Sequence, residues 1–208
     1  MLLIIAAVPL ETKLLRQQFQ TERTEQHGSC QISFGLLCGK KTILSHSGVG
    51  QTAMALHLTR LLERYQIDAV LLCGCGGSYP DSGLRNGDLA LASAETFGDL
   101  GVCTESSFIH LTELDIPQQP NQMLAALQTY QLTSELTLLA QHLLPEAHIG
   151  PFVTISSCSG HPALSTELQQ RTCGICENME GAAAAQVCSE YQLPLLELRG
   201  ISNPTGTR

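Results

Sequence analysis

Apolar positions fall into short runs separated by polar, glycine-containing stretches. Leu2–Ala7 is wholly apolar and includes β-branched residues, the pattern of a buried central strand. Pro9, followed by Leu10, Leu14, Leu15 and Phe19, predicts a first helix. A polar stretch, Thr21–Ser29, leads to a hairpin-like pair, Gln31–Cys38 and Lys41–His46, joined at Gly39-Lys40. Ser47-Gly48-Val49-Gly50 opens a helix to Tyr65, with Met54, Leu58, Leu61 and Leu62 near helical spacing. Ala69–Cys73 predicts a strand that ends in the loop Gly74-Cys75-Gly76-Gly77, and Asp88–Ser93 a shorter one. Gln122–Leu144 reads as one or two helices stopped by Pro145, and Pro151–Ser156 as a strand. An Ala-rich helix over Glu180–Tyr191 and a final strand over Leu195–Ile201 complete the pattern. The alternation predicts one α/β domain over residues 1–208 with a mostly parallel sheet.

Composition narrows the functions. With 43% hydrophobic and 14% charged residues in 208, the chain can bury a core and is not a disordered one. The net charge of −8 and 4% aromatics remove the basic footprint and stacking platforms that nucleic-acid binding needs. No run reaches membrane-spanning length, and the first ten residues lack the basic region of a signal peptide. Nine cysteines without framework spacing, several inside apolar runs, predict a reducing cytoplasm and small buried thiols. Cys173 and Cys176 form a CxxC without a second pair, so they read as structural, and no metal site is expected.

In open α/β sheets, ligands sit beyond the carboxyl ends of strands. Candidate chemistry therefore lies at Val8–Glu11, Ser47–Gly50, Gly74–Gly77, Ser156–Gly160 and Ser202-Asn203. Glu11 alone reads as a favourable partner of a helix dipole. The cluster Glu177-Asn178-Met179-Glu180-Gly181 before four alanines puts acids where a small-residue helix meets the strand tips. Arg199 inside an apolar strand needs a partner or a ligand. Asn203 carries donors and an acceptor suited to a flat base edge.

Glu177-Asn178-Met179-Glu180-Gly181-Ala182-Ala183, followed by Arg199-Gly200-Ile201-Ser202-Asn203, resembles the nucleoside phosphorylase and nucleosidase superfamily. The glycine loops and Asn86-Gly87-Asp88 occur in the expected order between the ends. Within it the chain is most similar to the futalosine hydrolase family. Asn203 stands where methylthioadenosine/S-adenosylhomocysteine (MTA/SAH) nucleosidases have Asp. Tyr79–Leu84 and Asp99–Val102 follow that subfamily's pattern.

The resemblance implies a three-layer α/β/α sandwich, a homodimer or higher homo-oligomer, and no cofactor. It implies hydrolysis of futalosine to hypoxanthine and dehypoxanthine futalosine, a step of menaquinone biosynthesis. An MTA/SAH-type adenosine nucleosidase, a 6-oxopurine nucleoside phosphorylase and a nucleoside-binding regulatory protein are the alternatives. By the same resemblance Glu11 activates water, Glu180 holds the ribose hydroxyls with Met179 against the sugar, and Asn203 contacts purine N7. Gly74, Cys75 and Gly76 line base and sugar, Ser157, Cys158 and Ser159 the other base face. Asn178, Arg199 and Ser202 complete the substrate-binding set. Family members usually continue into a further helix that covers the base; the sequence stops at Arg208, so that helix is expected to be either shortened or not represented here.

Overall fold

The computed structural model describes residues 1–105, 107–114 and 129–207. Twelve strands and five α-helices are assigned among them. The N-terminal part comprises β1 (Leu2–Ala6), α1 (Lys13–Gln18), β2 (Gln20–His27), β3 (Cys30–Leu37), β4 (Lys40–His46), α2 (Gln51–Arg64) and β5 (Ala69–Ser78). Then come β6 (Leu89–Phe97), β7 (Gly101–Cys103), β8 (Phe108–His110), β9 (Thr129–Gln131), α3 (Glu135–Leu143) and β10 (His148–Thr154). The chain finishes with α4 (Pro162–Thr172), β11 (Cys176–Asn178), α5 (Gly181–Glu190) and β12 (Leu195–Pro204).

The main sheet runs β11-β10-β6-β12-β5-β1-β4-β3-β2, with β9 on β6. Its centre, β12-β5-β1-β4, is parallel, whereas β2, β3 and β9 pair antiparallel. The β12–β6 and β11–β5 pairings are antiparallel too, while β10 pairs parallel with both β6 and β11, so the sheet is mixed, with parallel pairs at its centre and around β10. β11 pairs with both β10 and β5, which closes β5, β12, β6, β10 and β11 into a ring.

Both faces are covered. β1 alternates, sending Leu3 and Ile5 to a core that holds Met54, Leu58 and Leu61 of α2 and Ala182–Ala185 of α5. Ile4 goes to the opposite face with Phe19 and Leu44. On that face Leu91 packs with Ala140 of α3. This is the expected layered α/β architecture. The alanines of α5 are buried, which lets its axis lie close over the strands. Among the described residues no helix is long and apolar enough to cross a membrane.

Three differences from the sequence pattern matter for the site. First, β5 runs through Gly74-Cys75-Gly76-Gly77 to Ser78 instead of ending before it. The glycines are needed there because the strand is crowded: a Cβ on Gly77 would lie 2.8 Å from Thr205, and one on Gly76 would collide with Cys176. Second, Ser202 and Asn203 lie inside β12, not beyond it. Third, α4 and the short strand β11 were not expected, and Thr21–Ser29 is largely strand β2, an edge whose polar residues face solvent on both sides. The first helix also starts later, at Lys13, because residues 9–12 form turns. Of the helical stretch read over Gln122–Leu144, residues 122–128 lie outside the described residues, as does Arg208; the described remainder contains α3.

Candidate active site

The carboxyl ends of β1, β5 and β12 and the start of α5 converge on one cavity of about 220 Å³. Of the expected residues, Glu11, Cys75, Gly76, Cys158, Ser159, Asn178, Met179, Glu180, Ser202 and Asn203 line it. Gly74, Ser157 and Arg199 do not. Ser157 is exposed on the loop after β10. Arg199 is 1% exposed and lies beneath the cavity as structural support, so the expected direct substrate contact is replaced by ion pairing. Val8, Val49 and Gly77, which fall within the expected strand-end stretches, and Glu177, the first residue of the recognised motif, also line the cavity, though no individual role was expected of them. Ala7 lines it too and was missed, because the end of an apolar run carries no signal that distinguishes lining from core.

Glu11 is brought to the cavity by the turn after β1. Its Oε2 accepts from the amides of Ala7 at 2.9 Å and Val8 at 3.0 Å. Its Oε1 accepts from the Cys75 amide at 3.0 Å and the Cys75 thiol at 3.5 Å. All these donors are neutral, so the carboxylate is oriented while its charge stays uncompensated by a bonded cation. Burial, then the charge of Glu11, pushes the Cys75 thiol above its usual range.

Glu180 is built differently. It is 4% exposed at the start of α5, and its Oε1 accepts from the Gly50 amide at 2.9 Å. Its Oε2 pairs with Arg199 Nη1 at 3.3 Å. Arg199 also donates through Nε to Glu197 at 2.9 Å, through Nη1 to the Cys75 carbonyl at 3.2 Å and through Nη2 to Asn178 Oδ1 at 3.3 Å. Burial alone would lower the guanidinium's pKa, but Glu197 and Glu180 outweigh it and raise it. Asn178 Oδ1 in turn accepts from the amides of Glu180 at 2.9 Å and Gly181 at 2.7 Å, fixing the helix start.

Gly74 joins the two carboxylate sites. A Cβ there would stand 2.7 Å from both Arg199 Nη1 and Glu11 Oε1. Glu11 and the cation that holds Glu180 are thus packed against the same glycine, and the two acids converge on one cavity from opposite ends of the sequence.

On the remaining walls, Glu177 accepts from the Ser159 amide at 3.0 Å, from the Ser159 hydroxyl and from Tyr79 at 3.2 Å. This fixes the loop that carries Cys158. Asn203 donates to the Pro204 carbonyl at 2.9 Å and accepts from Ser202 at 2.9 Å. Each of its polar atoms keeps a free bonding direction. A larger cavity of about 670 Å³ shares Ala7 and Val8 and takes in Ser47 and Gly48, but neither Glu11 nor Glu180 lines it.

Residues 2–208 match the family model of the phosphorylase superfamily. The chain belongs to that superfamily. This superfamily member is 29% identical over 207 residues to the 5'-methylthioadenosine/S-adenosylhomocysteine nucleosidase of Tolumonas auensis, covering 98% of this chain and 86% of that protein. It is 27% identical over 209 residues to the nucleosidase of the same name from Bacillus cytotoxicus, covering 98% and 85%. Its fold is that of the MTA/SAH nucleosidase of Colwellia psychrerythraea solved with adenine, with a TM-score of 0.82 at 24% identity over 99% of this chain and 83% of that one. The Neisseria meningitidis nucleosidase solved with methylthio-immucillin-A gives 0.82 at 21% identity over 97% and 85%.

Proposed function

We propose that this chain is a nucleosidase that hydrolyses the N-glycosidic bond of a purine nucleoside. The observation that carries the reading is the convergence of Glu11 and Glu180 on one cavity. In the proposed reaction, Glu11 takes a proton from water, whose oxygen forms the new bond to the sugar's anomeric carbon. The bond to the purine nitrogen breaks, and the electron pair leaves with the base, which is protonated from solvent. Glu180 accepts from the ribose hydroxyls and stabilises the positive charge that develops on the sugar. Four donors hold Glu11, and the weakest of them, the Cys75 thiol at 3.5 Å on Oε1, is the one the attacking water displaces to reach the base. Water is favoured over phosphate because Glu11, Glu177 and Glu180 line the cavity and no Lys or Arg does among the described residues.

The curated relatives support an adenine nucleoside of the MTA/SAH type as the substrate. Asn203 supports a second reading. An amide donates to a 6-carbonyl and accepts from a protonated N7, the pattern of hypoxanthine, and this favours futalosine hydrolysis as the sequence resemblance implies. The deciding assay incubates the protein with methylthioadenosine, inosine and futalosine, with and without phosphate, and measures the free base. Phosphate-independent release of a purine is expected. Turnover only with phosphate overturns hydrolysis, and the base released decides between the two readings.

Two further elements belong to the proposal. Leu10 and Leu14, which flank Glu11 in sequence, and Val49, which lines the cavity, are exposed large apolar residues of the kind a homo-oligomer would cover, which sedimentation would reveal. The free thiols of Cys30, Cys38, Cys73 and Cys103 suit a reducing cytoplasm.

A further inference from the structure

We infer that Glu95, a fully buried acid on β6, is a positioning residue held as a neutral carboxylic acid that sets the geometry of Glu180 through Asn178 and Arg199. The inference rests on the reading of Glu180 as the group that holds the ribose.

Glu95 and Glu197 are both 0% exposed. Glu95 Oε1 accepts from Asn178 Nδ2 at 2.5 Å, and its Oε2 accepts from the Thr154 hydroxyl at 2.8 Å. Asn178 is thereby turned so that its Oδ1 meets Arg199 and the first amides of α5. Glu197 Oε1 takes the Arg199 Nε, while its Oε2 is buried without a partner. The two carboxyls lie side by side under the start of α5. A Cβ on Gly181 would stand 2.7 Å from Glu197 Oε1 and would overlap Glu95 Oε1.

Charge decides the protonation state. One guanidinium faces Glu180, Glu197 and Glu95. Three ionised acids against one cation in a dry interior leave two uncompensated charges; a neutral Glu95 leaves one, and its proton can be shared with the Glu197 carboxyl beside it. The groups facing Glu95 are Glu197 and Arg199 from β12, Asn178 from β11, Thr154 from β10 and Gly181 from α5. Burial first, and the charge of Glu197 second, push Glu95 well above the usual carboxylate range.

The test uses the full chain and two readouts. Infrared difference spectra between wild type and Glu95→Gln are recorded from about pH 6 to pH 9, a window in which an ordinary carboxyl is ionised. A protonated-carboxyl band present throughout and lost in Glu95→Gln is expected; its absence from wild type overturns the neutral state. In kinetics, Glu95→Ala is expected to lower kcat/KM by about tenfold or more, whereas Glu95→Gln, which keeps both donor and acceptor, stays within about threefold of wild type. Equal loss in both variants overturns the neutral state, and no loss in either overturns positioning. If Glu95→Ala does not fold, the spectra and Glu95→Gln still decide. Glu180→Gln is assayed alongside: full turnover there removes the ribose-holding reading on its own, whatever the spectra give.

Discussion

The two acids that face the cavity are held by opposite means. Glu11 sits half-buried at the end of β1, gripped by three backbone amides and one thiol. Glu180 is buried at the start of α5 and shares a guanidinium with Glu197. Neutral donors orient a carboxylate while leaving its charge free to draw a proton. A bonded guanidinium offsets most of it, leaving a group suited to accepting hydrogen bonds. The difference supports the proposed roles, with the acid without a cation as the base and the acid with one as the sugar clamp.

The largest expected effect breaks the first half of that comparison. Glu11→Gln keeps the shape but removes the proton acceptor, and kcat should fall by about 10²–10⁴-fold with purine binding retained. Calorimetry with the free base beside steady-state turnover checks both. Unchanged turnover removes Glu11 from the mechanism. Glu180→Gln tests the other half. It withdraws a negative charge from the developing cation, and about 10²-fold of kcat should be lost.

Gly74 tests whether the two halves are physically coupled. Gly74→Ala places a methyl against both Arg199 and Glu11 at once. Overpacking of that kind costs about 1–3 kcal/mol, so both the thermal midpoint and turnover should drop. A variant with native stability and activity would mean that the two sites relax independently.

Much of this arrangement was readable from the chain because it depends on local pattern. Apolar runs marked β1, β5 and β12, and the acid cluster before the alanines marked the start of α5. The carboxylate pair was found through motifs, because nothing in linear spacing brings Glu11 to Glu180. What escaped was set by tertiary pairing. The glycines after Cys73 read as a loop, since glycine lowers strand propensity, yet they continue β5 because only they fit against Cys176 and Thr205. Arg199 read as needing a partner or a ligand, without saying which; its partners, Glu197, Glu180 and Asn178, meet only once β11 and α5 are in place. Glu95 gave no signal at all, because one acid in an apolar run looks like a strand's solvent face.

Asn203 sharpens the comparison on the side of the leaving group. Neither acid reaches the purine's far edge in the proposed reaction, so base choice falls to this amide. Asn203→Asp exchanges a donor for an acceptor, and preference should move toward adenine by about tenfold to a hundredfold in kcat/KM. Competition between adenosine-type and inosine-type substrates measures it; an unaltered ratio means that another group reads the base.

The smallest effect tests how Glu11 is held. Cys75 offers it both a backbone amide at 3.0 Å and a thiol at 3.5 Å. A thiol is a weak donor and an amide a strong one, so the backbone should do most of the orienting. Cys75→Ala keeps the amide and deletes only the thiol, and kcat should change by less than about threefold. The pH profile discriminates further. Burial and the neighbouring Glu11 hold the thiol's pKa above its usual range, so it is protonated at neutral pH and adds no charge beside the base. Its removal should therefore leave the profile around neutrality where it was. A large loss, or an acid limb displaced in Cys75→Ala, would make the thiol part of what tunes Glu11, and the contrast between a backbone-held base and a cation-held clamp would then need a side chain on both sides.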